Sequence, residues 1–354
     1  MLPLISVVVP VFRVPTYLPQ CLDSILDQSF DDIELIAVDD YSPDECGEIL
    51  ESYAMRDPRV RVMHLARNVG LGPARCAGFD MATGEYVWFV DSDDYLIDGA
   101  LAAVAKRVAE LGSDLGPDML LVDYHRESWT RPDSRSNLPE VLPVESTPDV
   151  FTAAEQPGVF ATFHTAWARV LRRDLVARAG FPFHPGWYED VSFTYPLLVA
   201  ARRISVLRRV CYDYRDIRDG AITRTNDSRH FDVFEQYERL FATLDRRGVE
   251  THSEIRAHVF DRMLRHYWWI LNGSARVPQD LQRAFFARMS EHYERFRPTE
   301  LVSPIGARHP GIENLKRGLI AHESWRTFAV LRSARRAGHT AKGRIQELVR
   351  TNVR

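Results

Sequence analysis

The chain is short of cysteine, and the four it has follow no pattern: Cys21, Cys46, Cys76 and Cys211 form neither a CxxC pair nor a zinc-like spacing. A secreted disulfide framework is therefore not expected, and reduced thiols of a cytoplasmic protein are. Long apolar runs are missing too, none approaching the roughly 20 residues that cross a bilayer as a helix. The apolar N-terminus, Met1 to Pro10, lacks a basic start and a small-residue cleavage site, so it reads as a buried strand and not as a signal peptide. There is no excess of positive charge. The formal net charge is -4, which argues against a dedicated nucleic-acid binder. The first apolar run is not followed by GxGxxG, the mark of dinucleotide-dependent oxidoreductases. Nor does Pro10-Val-Phe-Arg-Val-Pro15 supply the glycine-rich basic loop expected of a sugar-nucleotidyltransferase. No internal repeat is present.

What remains is an ordinary globular composition, 45% hydrophobic over 354 residues, enough for one large domain with an appendage or for two domains. Ile5-Ser-Val-Val-Val9 is a β-branched run of the kind buried on both faces of a parallel sheet. Leu18, Cys21, Leu22, Ile25 and Leu26 then recur at helical spacing. Further strand-like runs lie at Ile33 to Val38, Val60 to His64 and Tyr86 to Val90. Helical patterns separate them, over Ile49, Leu50, Tyr53 and Ala54 and again from Gly72 to Met81. This alternation predicts an α/β fold with a Rossmann-like, mostly parallel sheet flanked by helices. Residues 128 to 158, rich in Pro, Ser, Thr and Asp, read as a loop or a pair of edge strands. From Phe231 onward the spacing of Phe234, Tyr237, Leu240 and Phe241, then of Val259 to Ile270, is helical.

Ligands of such sheets bind outside the carboxyl ends of the strands. Polar clusters fall at those ends: Pro10-Val-Phe-Arg, Asp39-Asp40, Asn68-Val-Gly70 and Asp91-Ser-Asp93. The last is the sharpest. Two carboxylates one residue apart suit Mg²⁺ or Mn²⁺, which take one or two carboxylates and complete their shell with phosphate oxygens. A turn in which an aspartate caps the next helix would look the same in isolation.

The order of five segments settles more than any one of them. Ser6-Val-Val-Val-Pro-Val-Phe, Val38-Asp-Asp-Tyr-Ser42, Asn68-Val-Gly-Leu-Gly-Pro-Ala-Arg75, Gly84-Glu-Tyr-Val-Trp-Phe-Val-Asp-Ser-Asp-Asp94 and Trp187-Tyr-Glu-Asp-Val-Ser-Phe193 occur in sequence. Together they resemble family-two inverting glycosyltransferases of the GT-A fold, of the kind that builds bacterial surface glycans. The resemblance implies transfer from a nucleotide diphosphate-sugar, a UDP-sugar by family habit, to an acceptor hydroxyl with inversion. It implies Mg²⁺ or Mn²⁺, a hexose or N-acetylhexosamine as cargo, and a glycan, polyol-phosphate or lipid-linked acceptor in teichoic acid or capsule synthesis.

Carried over by position, the resemblance puts Pro10 and Val11 in the nucleobase pocket and makes Asp40 an acceptor for a uracil-like base. Tyr41 stands where the family has the glycine of Asp-Gly-Ser. Asn68 and Arg75 join the donor site, with Cys76 where asparagine is common. Asp91 and Ser92 would face the ribose or the metal, Asp93 would be the main metal ligand, and Trp167 would lie near sugar and acceptor. Asp190 would be the general base and Glu189 its support. In Asp219-Gly-Ala-Ile-Thr-Arg224, Thr223 and Arg224 would close over the diphosphate, Ala221 replacing a serine.

Plainer readings stand beside these. Glu189 and Asp190 also suit the N-terminus of a helix, where acids offset the macrodipole. A non-catalytic sugar- or nucleotide-binding module on a decayed transferase scaffold would be expected to have lost acids such as Asp91, Asp93 and Asp190, which are present. His64, His164 and His184 lack metal-ligand spacing, and Tyr267-Trp268-Trp269 reads as a helix packing face. The expected organisation is a GT-A domain over 1–228 and a helical region with a basic tail over 229–354. In that tail Arg332, Arg335, Arg336, Lys342 and Arg344 alternate with Leu331, Ala334, Ile345 and Leu348. The pattern fits peripheral contact with an anionic membrane face as well as it fits a solvated helix or a linker.

Overall fold

A computed structural model describes residues 2–112, 116–127, 134–135, 138–215, 224–272, 276–301 and 310–333. The first half alternates as expected: β1 (Ile5–Val11), α1 (Leu18–Leu26), β2 (Ile33–Asp39), α2 (Cys46–Arg56), β3 (Val60–His64), α3 (Leu71–Met81) and β4 (Tyr86–Phe89). There follow β5 (Tyr95–Leu96), α4 (Ala100–Glu110), β6 (Met119–Glu127), β7 (Ser134–Arg135) and α5 (Leu138–Val141). After a long irregular stretch come β8 (Arg169–Arg172), α6 (Arg173–Ala179), α7 (Glu189–Ala200) and β9 (Ile204–Arg215). The chain then turns helical, with α8 (Asp232–Arg246), α9 (Glu254–Asn272), α10 (Gln282–Phe296) and α11 (Pro310–Ala321).

The nine strands of the described residues form one sheet in the order β3-β2-β1-β4-β8-β6-β9-β5, with β7 on β6. The parallel arrangement holds over β3, β2, β1 and β4. Beyond β4 the sheet is mixed: β8 runs antiparallel to both β4 and β6, β9 is parallel to β6, and β5 is antiparallel to β9. Strand–helix alternation signals only the parallel part, because antiparallel neighbours need no crossover helix. Within 128–158, the described residues contain β7, the short α5 and a bridge between Phe151 and Ile204. Leu138, Val141, Leu142 and Phe151 are buried, so this stretch contributes to the core as well as to an edge.

β1, β2 and β4 are buried throughout, as strands covered on both faces must be. Their side chains alternate between two cores. Val7, Val9, Leu35, Ala37 and Trp88 pack with α1, α2 and α4; Val8, Ile36, Val38, Val87 and Phe89 pack with α3, α6 and α7. Apolar residues of α8, α9 and α10 join that second core, so no apolar gap marks the boundary expected near 228. Among the described residues no helix is long and apolar enough to cross a membrane. The alternating basic pattern beyond Ser333 lies outside the described residues.

The two ends of the parallel strands differ in kind. At the amino end, Glu34 on β2 accepts from Ser6 Oγ (2.7 Å), from Thr83 N–H (2.7 Å) and from Arg61 (2.7 Å), while Gly84 N–H donates to Ser6 Oγ (2.8 Å). That end is closed by its own polar groups. The carboxyl end opens on a cavity, and α3 is the helix that brings side chains to it. α3 lies close on the sheet because it carries small residues: a Cβ on Gly78 would clash with Val8 and come within 3.1 Å of Val38 Cγ2. Gly78→Ala should therefore destabilise the chain by about 1–3 kcal/mol in urea unfolding. Gly318→Ala, in a helix position with nothing within 4 Å, should be neutral or stabilise by up to about 1 kcal/mol.

Candidate active site

Arg75 stands at the centre of the cavity wall. It is 1% exposed, and its guanidinium reaches three carboxylates: Nη1 donates to Glu189 Oε1 and Asp190 Oδ1, and Nη2 to Asp91 Oδ1, each at 2.6 Å. The sequence delivers these groups from three elements. Arg75 sits in α3, Asp91 follows β4, and Glu189 and Asp190 are the first residues of α7. Gly72 lets α3 approach the segment before α7, since a Cβ there would lie 2.8 Å from the His184 carbonyl and 3.2 Å from Glu189 Cγ. Tyr188, at φ 64, turns the chain into α7 so that both acids point inward. The acids do sit at a helix N-terminus, but buried and paired, not as solvated caps.

The electrostatics follow from this burial. Desolvation opposes the charge on Arg75, yet Asp190, Asp91 and Glu189 outweigh it and hold the cation firmly. Burial and then the Asp190 charge push the Glu189 carboxyl up, against the pull of Arg75. Burial likewise raises Asp190, whose Oδ2 also accepts from Ala166 N–H at 3.2 Å. One cation facing three carboxylates leaves an excess of negative charge that the site must neutralise by protons or by a bound cation.

Asp40 organises the neighbouring wall. Its Oδ1 accepts from Val69 N–H (2.7 Å), and its Oδ2 from Gly70 N–H and Asn68 Nδ2 (both 2.9 Å). Asn68 and Asp40 thus spend much of their hydrogen-bonding capacity on each other and on the Asn68–Gly70 turn. Tyr41 keeps the left-handed backbone that a glycine would give, at φ 61, with its ring 60% exposed. Asp39 is engaged elsewhere, accepting from Ser42 N–H (2.9 Å) and pairing with His64 Nδ1 (3.0 Å).

The loop after β4 is fixed from below. Asp94 is buried and accepts from Tyr212 OH and Arg215 N–H, both at 2.7 Å; Tyr212 OH accepts in turn from Asp91 N–H at 3.1 Å. The Arg215 guanidinium bonds the Asp93 carbonyl and Gln20 and lies between the rings of Tyr17 and Tyr95. Trp167 stacks on Tyr212 (4.5 Å, 9°) and Tyr214 (5.3 Å, 16°) and meets Tyr124 edge-on (4.6 Å).

Pro10, Val11, Asp40, Asn68, Arg75, Asp91, Ser92, Asp93, Trp167, Glu189 and Asp190 all line one cavity of about 1060 Å³. Thr223 lies outside the described residues. Arg224 is exposed and not on the cavity wall, whereas the adjacent Thr225 is. The cavity also takes residues that sequence reasoning passed over, Tyr124, Phe163 and Tyr214 and from α9 Arg262, Arg265 and His266. Tyr267 does pack in the core as a helix face should, but Trp269 opens on the cavity. The four cysteines are free thiols.

Residues 6–176 match the family described as Glycosyl transferase family 2. The match takes in a little under half of the chain. Among curated glycosyltransferases, the uncharacterized EpsJ of Bacillus subtilis is 34% identical over 221 residues, 61% of this chain and 62% of EpsJ. A poly(ribitol-phosphate) beta-glucosyltransferase of Bacillus spizizenii is 31% identical over 221 residues, 61% of this chain but 33% of that enzyme. The chain thus spans under two thirds of the length of these relatives. In three dimensions the chain matches S. aureus TarS 1–349, solved in complex with UDP-GlcNAc, at a TM-score of 0.66 and 23% identity, covering 82% of this chain and 80% of TarS 1–349. The GT-A-like mixed sheet with flanking helices is shared.

Removing the buried cation should be costly. Arg75→Gln leaves buried carboxylates uncompensated and should destabilise by about 3–5 kcal/mol in chemical denaturation near neutral pH. Glu189 and Asp190 are raised in the folded state, so they favour folding below their unfolded pKa and lose that contribution as pH rises through the folded one. Without Arg75 they rise further, so the deficit against the native chain should widen from about pH 5 to about pH 8.

Proposed function

We propose that this chain is an inverting glycosyltransferase that moves a hexose or N-acetylhexosamine from a UDP-sugar to an acceptor hydroxyl in a bacterial surface glycan. The observation that carries this reading is the single Arg75 guanidinium joining Asp91, at the end of β4, to Asp190, at the start of α7. A strand-end acid suited to a cation that would offset the donor diphosphate and a helix-start acid suited to proton removal therefore face the same cavity. The nucleotide would lie along Pro10, Val11 and the Asp40–Gly70 wall, the sugar would extend past Arg75, and the acceptor would enter beside Trp167. In this scheme 1–228 carries the donor and the reacting groups, and 229–354 completes the acceptor side.

Asp93 and Asp91 fit a hard divalent ion. Both line the cavity one residue apart, Asp91 commits Oδ1 to Arg75, and among the described residues no cluster of three or more His, Cys, Asp or Glu encloses an ion. The remaining ligands would be phosphate oxygens and water, as Mg²⁺ and Mn²⁺ prefer. When bound there, such an ion would offset charge on the diphosphate as the sugar leaves. Asp190 takes the proton of the acceptor hydroxyl at its carboxylate, on the face opposite the leaving group. Ala166 N–H and Arg75 hold that carboxylate in place. Glu189 shares the Arg75 charge, and burial and then the Asp190 charge raise its own carboxyl. Trp167 and the tyrosines it stacks on keep the acceptor side rigid and dry.

Calorimetric titration should show UDP binding that depends on Mn²⁺ and is lost in Asp93→Ala; metal-independent binding would remove Asp93 from the donor site. Asp190→Asn should leave UDP affinity within a few fold and lower transfer by about 10²–10⁴-fold. Parallel loss of binding and transfer would count against Asp190 as the base. Because burial raises Asp190, the rate should climb with pH along an acid limb lying above the ordinary aspartate range.

A further inference from the structure

The cavity has a second charged wall, formed by α9 and the loop before β8. Arg262 and Arg265 project from α9 beside Phe163, His164 and Thr165. Arg262 lies 4.7 Å over the Phe163 ring and hydrogen-bonds Tyr195, and its Nε is buried with no hydrogen-bond partner among the described residues. Arg265 Nε pairs with Asp261 at 2.8 Å, but its Nη2 is likewise buried and unsatisfied. Buried guanidinium N–H groups without acceptors are costly unless a ligand supplies them. Three carboxylates on the same cavity have other partners: Asp232 accepts from Trp187 N–H (2.9 Å), and Glu189 and Asp190 bond Arg75. The neighbouring His164 and His266 are held neutral, first by burial and then by nearby positive charge, so the positive charge of this wall comes from the arginines alone.

This wall stands apart from the one built by β1, β2 and α3. It adjoins the reacting acid: Ala166, which donates to Asp190, is three residues beyond the Phe163 that Arg262 covers. Trp269 and Trp187 flank it with flat apolar faces, each covered in part by an arginine, Arg276 at 3.7 Å and Arg229 at 4.4 Å. Resting on the transferase reading above, we infer that Arg262 and Arg265 form a subsite for a phosphate group of the acceptor, placed one unit from the hydroxyl that Asp190 activates. Guanidinium forks match phosphate oxygens in pairs, and the indole rings suit the carbon face of a sugar or polyol. The subsite selects phosphate-bearing acceptors over neutral ones.

The test is calorimetric, on the full chain, with a ribitol phosphate oligomer, a neutral oligosaccharide of equal length and farnesyl diphosphate, each with and without UDP. The oligomer should bind and the neutral sugar should not. Arg265→Gln and the milder Arg262→Lys should each weaken the oligomer about tenfold or more, with UDP affinity unchanged as evidence that the fold is intact. Binding of farnesyl diphosphate in place of the oligomer, with the same response to substitution, supports the phosphate subsite and assigns it to a lipid-linked acceptor. Equal binding of the neutral sugar, or indifference to both substitutions, overturns the inference. So does a parallel loss of UDP affinity, which would give the arginines to the donor. A native chain that takes the oligomer but never UDP would sink the transferase reading while leaving the phosphate subsite standing.

Discussion

A desolvated arginine among three carboxylates is the constraint around which the rest of this molecule is arranged. Such a cation is tolerated only where its partners are held at contact distance by rigid elements, because the cost of burying it is recovered by geometry alone. Here the geometry has several sources. Gly72 and Gly78 let α3 lie close to both the sheet and the segment before α7. Tyr188 spends a left-handed backbone to start α7 with its acids facing in. Tyr212 and Arg215, from the far end of β9, fix the loop that carries Asp91. Each of these features is local, and all of them converge on one guanidinium.

Much of this was legible in the sequence. The continuous apolar runs of β1, β2 and β4 gave away strands covered on both faces, and acids placed directly after a buried strand marked the open edge. Asp91, Asp93, Glu189 and Asp190 could be singled out only by the order of the five segments, because carboxylates at such places also serve as caps and helix starts. The role of Asp40 was less readable. Its position suggested recognition of a base, yet its oxygens are occupied by Asn68, Val69 and Gly70, a pattern of backbone donors that no sequence motif displays. Tyr41 shows the reverse case: a departure from glycine leaves the backbone turn as glycine would have made it.

Two parts were hidden for physical reasons. The mixed half of the sheet, with β8 inserted between β4 and β6, depends on long-range pairing that leaves no periodic trace. The α9 wall was hidden because an amphipathic pattern tells which face of a helix is covered, not whether the cover is side chains or a cavity. Tyr267 and Trp269 belong to one run of aromatics, but one fills the core and the other faces open space.

The helices α8 to α10 share their core with α6 and α7, and one of them supplies a wall of the cavity. The segment that finishes the site is therefore also a structural support for the domain beneath it. In linkage terms, a ligand spanning the cavity binds only when both walls are in place, so its free energy of binding adds to the cohesion between them. Occupancy and integrity of the two halves are then one thermodynamic quantity: the molecule is at its most cooperative when the cavity is filled from wall to wall.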